Sequence, residues 1–348
     1  MYDRIADQPL TVEGYDLTRQ EKDTSSGFTR ATTTVTLRGE GVEGKGEDVT
    51  YDTEDHDAFE AFDAGLSGEY TLDSFSAFLD DVDLWPEPPQ RETSRHYRRW
   101  AFESAALDLA LNQADTDLGS ALGREYDPVR FVVSTRLAED EGTPSTDRVD
   151  HWLDVDPGME FKLDPTPAWD ADVVAHLADT DAVRVVDLKA LYEDSQVETP
   201  AEPEFYRRIV TGFPDAVVED PGVTEETRSV FDGHENRVSW DYPITGVESV
   251  EALPFDPEWL NCKPSRFGTV ESLLDFLAYC ERNGISLYGG GQFELDVGRG
   301  QIQLLASLCY PDGPNDVAPG GYNAPEPQAG LPSSPLSPPE KPTGFRWP

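Results

Sequence analysis

Positive charge is what this chain has least of. Its 348 residues carry 27 Lys and Arg against 69 Asp and Glu, a formal net charge of −42. Nucleic acid and anionic membrane surfaces are recognised through a basic footprint, so neither is expected as a partner. Lysine is scarcest: Lys22, Lys45, Lys162, Lys189, Lys263 and Lys341 are the whole set. Long apolar runs are missing too, and none reaches the roughly 18 residues that a membrane helix needs. Cysteine is rare. Cys262, Cys280 and Cys309 make an odd number without close spacing, which implies no disulfide framework. Each lies in an apolar segment and is expected as a buried free thiol. The opening Met1-Tyr2-Asp3-Arg4 has no apolar signal core, and the expected location is cytoplasmic.

What is present argues for a folded, acidic-surfaced protein. Aromatics make up 10% of the chain, and its periodic segments are clear, which sets it apart from a disordered acidic chain. The length suits one large domain or two smaller ones with a sizeable core. The acids are dispersed, and arginine supplies most of the basic residues. That profile looks halophilic, because high salt screens the self-repulsion of so acidic a surface.

The chain opens with strands between Leu10 and Thr50, the β-branched run Ala31 to Leu37 being the clearest. Gly39, Gly41, Gly44 and Gly46 punctuate a turn after it. Asp55 to Leu84 reads as helical, and Trp85-Pro86-Glu87-Pro88-Pro89 breaks it. Ser94 to Gln113 is a strong helix with Ser94 as its N-cap. Its Ala and Ser run predicts close packing, with Asp108 on the solvent side. Together these form an α+β domain, residues 1–125.

From Pro128 the pattern becomes strand–helix alternation. Strands are expected at Val129–Ser134, Met159–Leu163, Ala182–Leu188, Ala216–Asp220, Val238–Tyr242, Trp259–Lys263, Ile285–Tyr288 and, weakly, Asp316–Ala318. Eight strands at spacings of roughly 20 to 30 residues fit an α/β fold of the (β/α)₈ class over residues 126–325. An open doubly wound sheet would carry a Gly-rich phosphate fingerprint after its first strand, and none is there. Residues 326–348 form a Pro-rich tail. It is either solvated or anchored to the first domain through Phe345-Arg346-Trp347.

The chemistry gathers at strand ends. Ala216-Val217-Val218 is apolar without alternation, as in a strand buried on both faces, and it stops at Glu219-Asp220-Pro221. Its neighbours end alike, in Lys162 and Asp164, in Asp187 and Lys189, in Asp241 and in Lys263, with Glu294 after the glycine run Gly289 to Gly291. Three of the six lysines fall at these ends. Carboxyl ends of parallel strands are where such folds place ligands, and burial can tune a lysine into a general base.

In order, Phe161-Lys162-Leu163-Asp164, Val186-Asp187, Val218-Glu219-Asp220-Pro221, Trp240-Asp241, Asn261-Cys262-Lys263-Pro264-Ser265-Arg266-Phe267-Gly268 and Phe293-Glu294 with Gly298 resemble the motifs of the enolase superfamily. The likeness is closest to its muconate-lactonizing and o-succinylbenzoate synthase branch. It covers nearly the whole chain except the tail, the first domain standing for the capping domain. The resemblance implies a modified TIM (β/α)₈ barrel and one Mg²⁺ held by Asp187, Glu219 and Asp241. It also implies a small-molecule carboxylate substrate, Lys263 as general base or acid, and Lys162 as a stabilising charge on the enediolate. Arg266, Glu294, Phe28, Arg30 and Tyr51 are the candidate substrate contacts, the last three on capping-domain loops near Thr24 to Arg30 and Gly44 to Tyr51. A homo-oligomer is allowed.

Two departures matter. Asp164 stands where the family usually has a second lysine, and Lys189 where it often has asparagine. Without a second base facing Lys263, dehydration or cycloisomerisation is favoured. With Lys189 as that base, racemisation or epimerisation is open, and a non-catalytic metal-binding scaffold is the remaining alternative. His56, His96, His151, His176 and His234 miss the late strand ends and are expected on surfaces or loops. If the acidic surface is salt-adapted, the melting temperature should rise along a potassium chloride series; a flat or falling series contradicts that expectation.

Overall fold

The computed structural model describes residues 1–24, 28–60, 62–140, 142–192 and 198–347. Residues 25–27 of the first capping loop and Pro348 of the tail lie outside the described residues. The β-branched run forms the middle of an antiparallel sheet in which β3 (Thr29–Gly39) lies between β2 (Gly14–Asp23) and β4 (Val42–Asp48). A second, two-stranded sheet pairs β1 (Pro9–Val12) with β5 (Gly68–Thr71). Asp55 to Leu84 is therefore not one helical stretch. It divides into α1 (Thr53–Phe59), β5 and α2 (Leu72–Asp80).

Helix α3 (Ser94–Gln113) packs so closely on β4 that a Cβ at Gly44 would stand 2.2 Å from Leu109 N, and one at Gly46 2.1 Å from Ala101 O. These two glycines are thus strand residues under a small-residue helix face, not turn residues. Ser94 is the first residue of the helix rather than its cap. Thr93 holds the cap position without a side-chain bond. Asp108 is fully buried instead of facing solvent. His56 is also buried, bonded through Nδ1 to Thr33 Oγ1 and through Nε2 to Thr50 O, each at 2.9 Å. The other four histidines are exposed or half-buried.

After α4 (Leu118–Leu122) comes the parallel sheet, with β6 (Val133–Thr135) as its first strand. A small hairpin, β7 (Ala138–Asp140) and β8 (Thr143–Ser145), and α5 (Asp147–Val155) follow. The remaining parallel strands are β9 (Phe161–Leu163), β10 (Val183–Asp187), β11 (Val217–Glu219), β12 (Val238–Trp240), β13 (Trp259–Cys262) and β14 (Ser286–Gly289). They lie in the order β14-β13-β12-β11-β10-β9-β6, every neighbouring pair parallel. Between them run α6 (Ala171–Asp179), α7 (Pro203–Gly212), α8 (Val247–Glu251) and α9 (Val270–Asn283), and α10 (Val297–Cys309) follows β14. The link from β11 to β12 carries only short 3₁₀ turns, one way in which the barrel is modified.

The expected eighth strand reduces to Asn315 and Asp316. Each makes one parallel bridge, Asn315 to Phe131 and Asp316 to Gly290, and together they join the two edge strands. The Asn315 side chain secures this seam. Its Oδ1 accepts from Gly289 N at 2.6 Å, and its Nδ2 donates to Arg130 O at 2.9 Å. Among the described residues, no helix is long and apolar enough to cross a membrane. Cys262 and Cys280 are buried free thiols, whereas Cys309 is half-exposed.

The tail is not solvated at its end. Leu336 exchanges backbone hydrogen bonds with Val129, and Gly344 bridges Asp117. Phe345 is fully buried against Trp100, ring centroids 6.4 Å apart. Asp108 accepts from Phe345 N at 2.8 Å and from Arg346 Nε at 2.7 Å, so the tail satisfies a carboxylate that α3 buries. Trp347 O comes close to Gly300 of α10. The segment thus straps the first domain to the barrel. Phe345→Ala removes a fully buried ring and should cost about 3 kcal/mol. A urea unfolding midpoint unchanged from wild type would contradict this.

Candidate active site

Three adjacent strands end in ionisable groups that burial forces together. Lys162 sits within β9, and its Nζ pairs with Glu219 Oε1 at the end of β11 and with Asp187 Oδ2, 3.1 Å away, at the end of β10. All three are at most 1% exposed. Asp187 Oδ1 accepts from Lys189 N at 3.1 Å, an Asx-turn that holds Lys189 at φ 50°. That turn folds the Lys189 side chain back over the strand end, where Nζ pairs with Asp187 Oδ2 and lies 3.5 Å from Asp164 Oδ1. Lys189 therefore meets Asp164.

Asp241, at the end of β12, is held from three sides. Lys263 Nζ lies 2.7 Å from its Oδ2, Tyr192 donates to the same oxygen at 2.8 Å, and Arg266 Nε approaches Oδ1 at 3.5 Å. Arg266 also donates to Tyr242 O at 2.7 Å and to the Tyr192 hydroxyl at 3.2 Å. Asp220 fixes the backbone here. At φ 48°, its carboxylate accepts from Asp241 N at 2.8 Å and from Tyr242 N at 3.0 Å.

Electrostatics follow from this crowding. Burial alone would raise Asp187, but Lys189 and Lys162 hold it well below the usual carboxylate range. Arg266 and Lys263 likewise overcome burial at Asp241 and lower it. Glu219 is pushed up to about 8, chiefly by burial, with Lys162 opposing and Asp187 adding to the rise. Asp220 rises to about 7 through burial and its acidic neighbours Asp241 and Asp187. Burial would depress Lys162, yet Glu219 and Asp187 raise it, and Asp164 and Asp187 do the same for Lys189. Burial thus outweighs the site's own cations at Glu219 and Asp220, though not at Asp187 and Asp241.

Oxygens of Asp187, Glu219 and Asp220 lie within 4.8 Å of one another, a spacing that could hold a cation. The expected trio had Asp241 in place of Asp220. Asp241 stands beside this group, and its buried Oδ1 has no hydrogen-bond donor. Both oxygens of Asp220, by contrast, are engaged by backbone N–H groups. An all-oxygen donor set of carboxylates suits a hard divalent cation such as Mg²⁺.

The candidate substrate contacts divide. Arg266 borders the group just described. Glu294 accepts from Gln292 N at 2.6 Å and pairs with Arg299 at 3.2 Å. Tyr51 donates to Gln292 Oε1 at 2.9 Å, and Phe28 meets Phe293 edge-on at 5.7 Å. Arg30 is only 1% exposed and stacks over Tyr51. Its guanidinium donates to the carbonyls of Val49 and Thr50 and, at 3.0 Å, to Gln292 O. It fastens the capping domain to the loop after β14.

Four residues were not singled out from sequence: Tyr192, Tyr288, Asn261 as a side chain, and Glu47. The first two are aromatic residues whose hydroxyls reach carboxylates from another strand or loop, which no spacing along the chain encodes. Glu47, from β4, accepts from Leu295 N at 2.6 Å and from Gly298 N at 2.8 Å, capping the start of α10 across the domain boundary.

Residues 3–121 match the N-terminal family model, and residues 125–324 the C-terminal family model, of a domain of unknown function, DUF8230. No curated protein matches the chain. Solved structures do. A dipeptide epimerase from Methylococcus capsulatus, complexed with Mg ion, is 15% identical, with 97% of this chain and 100% of that chain covered and a TM-score of 0.70. Muconate lactonizing enzyme from Pseudomonas putida is 19% identical over 88% of each chain, with a TM-score of 0.63. An unknown member of the enolase superfamily from Enterococcus faecalis is 20% identical over 89% of this chain and 86% of that one, with a TM-score of 0.62. The chain has the enolase-superfamily fold, a capping domain on a TIM-like barrel.

Proposed function

The chain belongs to the DUF8230 family, and on that premise we propose that it is a Mg²⁺-dependent enzyme that abstracts a proton α to a carboxylate. The observation that carries this reading is the convergence of Lys162, Lys189 and Lys263 with Asp187, Glu219 and Asp241 at the carboxyl ends of adjacent parallel strands. Fold alone would not carry it.

In this reading Asp187, Glu219 and Asp241 hold the cation, and Asp220 fixes the backbone that presents Asp241. When bound, Mg²⁺ neutralises the charge that develops on the substrate carboxylate. Lys162, wedged between Glu219 and Asp187, adds a second fixed positive charge for the same oxygens. Lys263, 7% exposed at the end of β13, is the base that takes the α-proton on Nζ. The Cβ–O bond then breaks. In a dehydration, a β-hydroxyl takes the proton back from Lys263 Nζ and leaves as water. In a cycloisomerisation the leaving oxygen is a carboxylate of the same molecule, so the step opens a lactone ring. Its reverse, with Lys263 returning the α-proton, closes the ring. One base suffices for either. Lys189 is tied to Asp187 and Asp164, and it serves as a fixed charge.

A second reading is epimerisation. It draws on the placement of Lys189 after β10 and Lys263 after β13, with β11 and β12 between them, so that the two lysines flank the barrel mouth. The Mg-bound dipeptide epimerase also covers 97% of this chain. Here Lys189 would deliver or remove the proton on the opposite face.

The test is α-proton exchange in D₂O over pooled acid sugars, dipeptides, N-acyl amino acids and cyclic carboxylates, with Mg²⁺ and high potassium chloride. Metal-dependent exchange should appear and fall at least about 1,000-fold in Lys263→Ala. Lys189→Met should keep exchange under the first reading and lose inversion under the second. Turnover insensitive to Lys263→Ala would contradict both. No exchange, together with no Mg²⁺ effect on melting, would leave a non-catalytic scaffold.

A further inference from the structure

Tyr288 lies inside the barrel, below the carboxylates. It is fully buried in a small cluster with Val185 and Val217, and Trp259 packs beside it at a ring distance of 6.3 Å. Its ring is thus fixed by β10, β11 and β13, while its hydroxyl points toward the strand ends. That hydroxyl donates to Glu219 Oε2, and Ser239 Oγ lies 3.1 Å from it. Asn261 Nδ2 donates to the same Glu219 oxygen at 3.2 Å. Glu219 Oε1, in contrast, pairs with Lys162, which also pairs with Asp187.

We propose that Tyr288 is a positioning residue that locks Glu219 in one rotamer, with Oε2 held inward and Oε1 presented singly to the divalent cation. This rests on the metal reading above and deepens it, by assigning the group that sets how Glu219 binds. A phenol on a rigid ring is suited to the task. It cannot swing away, and its bond to Glu219 fills the oxygen that would otherwise turn outward for bidentate coordination. Mg²⁺ requires near-ideal octahedral geometry with one oxygen per carboxylate, whereas Ca²⁺ accepts bidentate carboxylates. Tyr288 therefore biases the site toward Mg²⁺. Partners of this kind, one layer out from the ligands, commonly govern metal affinity by 10- to 100-fold.

The experiment compares wild type with Tyr288→Phe, which keeps the ring and removes only the hydroxyl. Melting temperature is followed as Mg²⁺, and separately Ca²⁺, is titrated from a chelator-treated protein. The Mg²⁺ midpoint should move up about 10-fold in the variant, while the Ca²⁺ midpoint moves much less. Equal shifts for both ions would mean a merely structural role and overturn the proposal, as would no shift. Should Tyr288→Phe fail to fold, a crystal structure of the wild type grown with Mn²⁺ decides. Glu219 bound through Oε1 alone, with Oε2 still on the Tyr288 hydroxyl, supports the proposal, and a bidentate Glu219 overturns it. A wild type whose melting ignores Mg²⁺ overturns the metal reading and this inference with it, which separates that failure from a defect of Tyr288 alone.

Discussion

Everything in the barrel mouth follows from one electrostatic requirement. Asp187, Glu219, Asp220 and Asp241 are all fully buried at the ends of neighbouring strands, and isolated charges in such a place are prohibitively costly. The chain meets the requirement by bringing three of its six lysines and Arg266 to the same strand ends. Even so, burial keeps Glu219 and Asp220 raised. A buried cluster of carboxylate oxygens within 4.8 Å of one another is suited to a divalent cation. The same burial explains why these three lysines are fixed by carboxylates.

The rest of the fold holds that site in register. The capping domain reaches the loop after β14 through Arg30, Tyr51 and Glu47, and Glu47 also caps the first turn of α10. The tail returns from the barrel to Asp108 on α3, adding a strap between the two units. Gly44 and Gly46 let α3 lie against β4 at backbone distance, which stiffens the face of the cap from which these contacts are made. Arg30, Tyr51 and Glu47 together anchor the loop after β14 to the capping domain at three points.

Much of this was legible in the sequence, because a parallel strand buried on both faces leaves an unbroken apolar run, and the polar residue that ends it is conspicuous. Seven parallel strands and the clustered lysines and acids could be read that way. The eighth strand was not legible as it stands, since two bridging residues, Asn315 and Asp316, leave no periodic trace. Asp108 and His56 were misplaced for a shared reason. Each is a polar residue buried by a distant partner, the tail for Asp108 and Thr33 with Thr50 for His56. Asp220 stood beside Glu219 in the motif, yet its role in holding the backbone of Asp241 depends on a neighbouring strand. Tyr288 was invisible for the same reason, a phenol reaching across the barrel interior.

The central claim is that one divalent cation sits among the strand-end carboxylates. The most direct measurement is a crystal structure grown with Mn²⁺ in place of Mg²⁺, with data collected for anomalous scattering. The account predicts one strong anomalous peak within about 2.3 Å of oxygens from Asp187, Glu219 and Asp241. A peak bound elsewhere, or none at these carboxylates with the ion in excess, would contradict it.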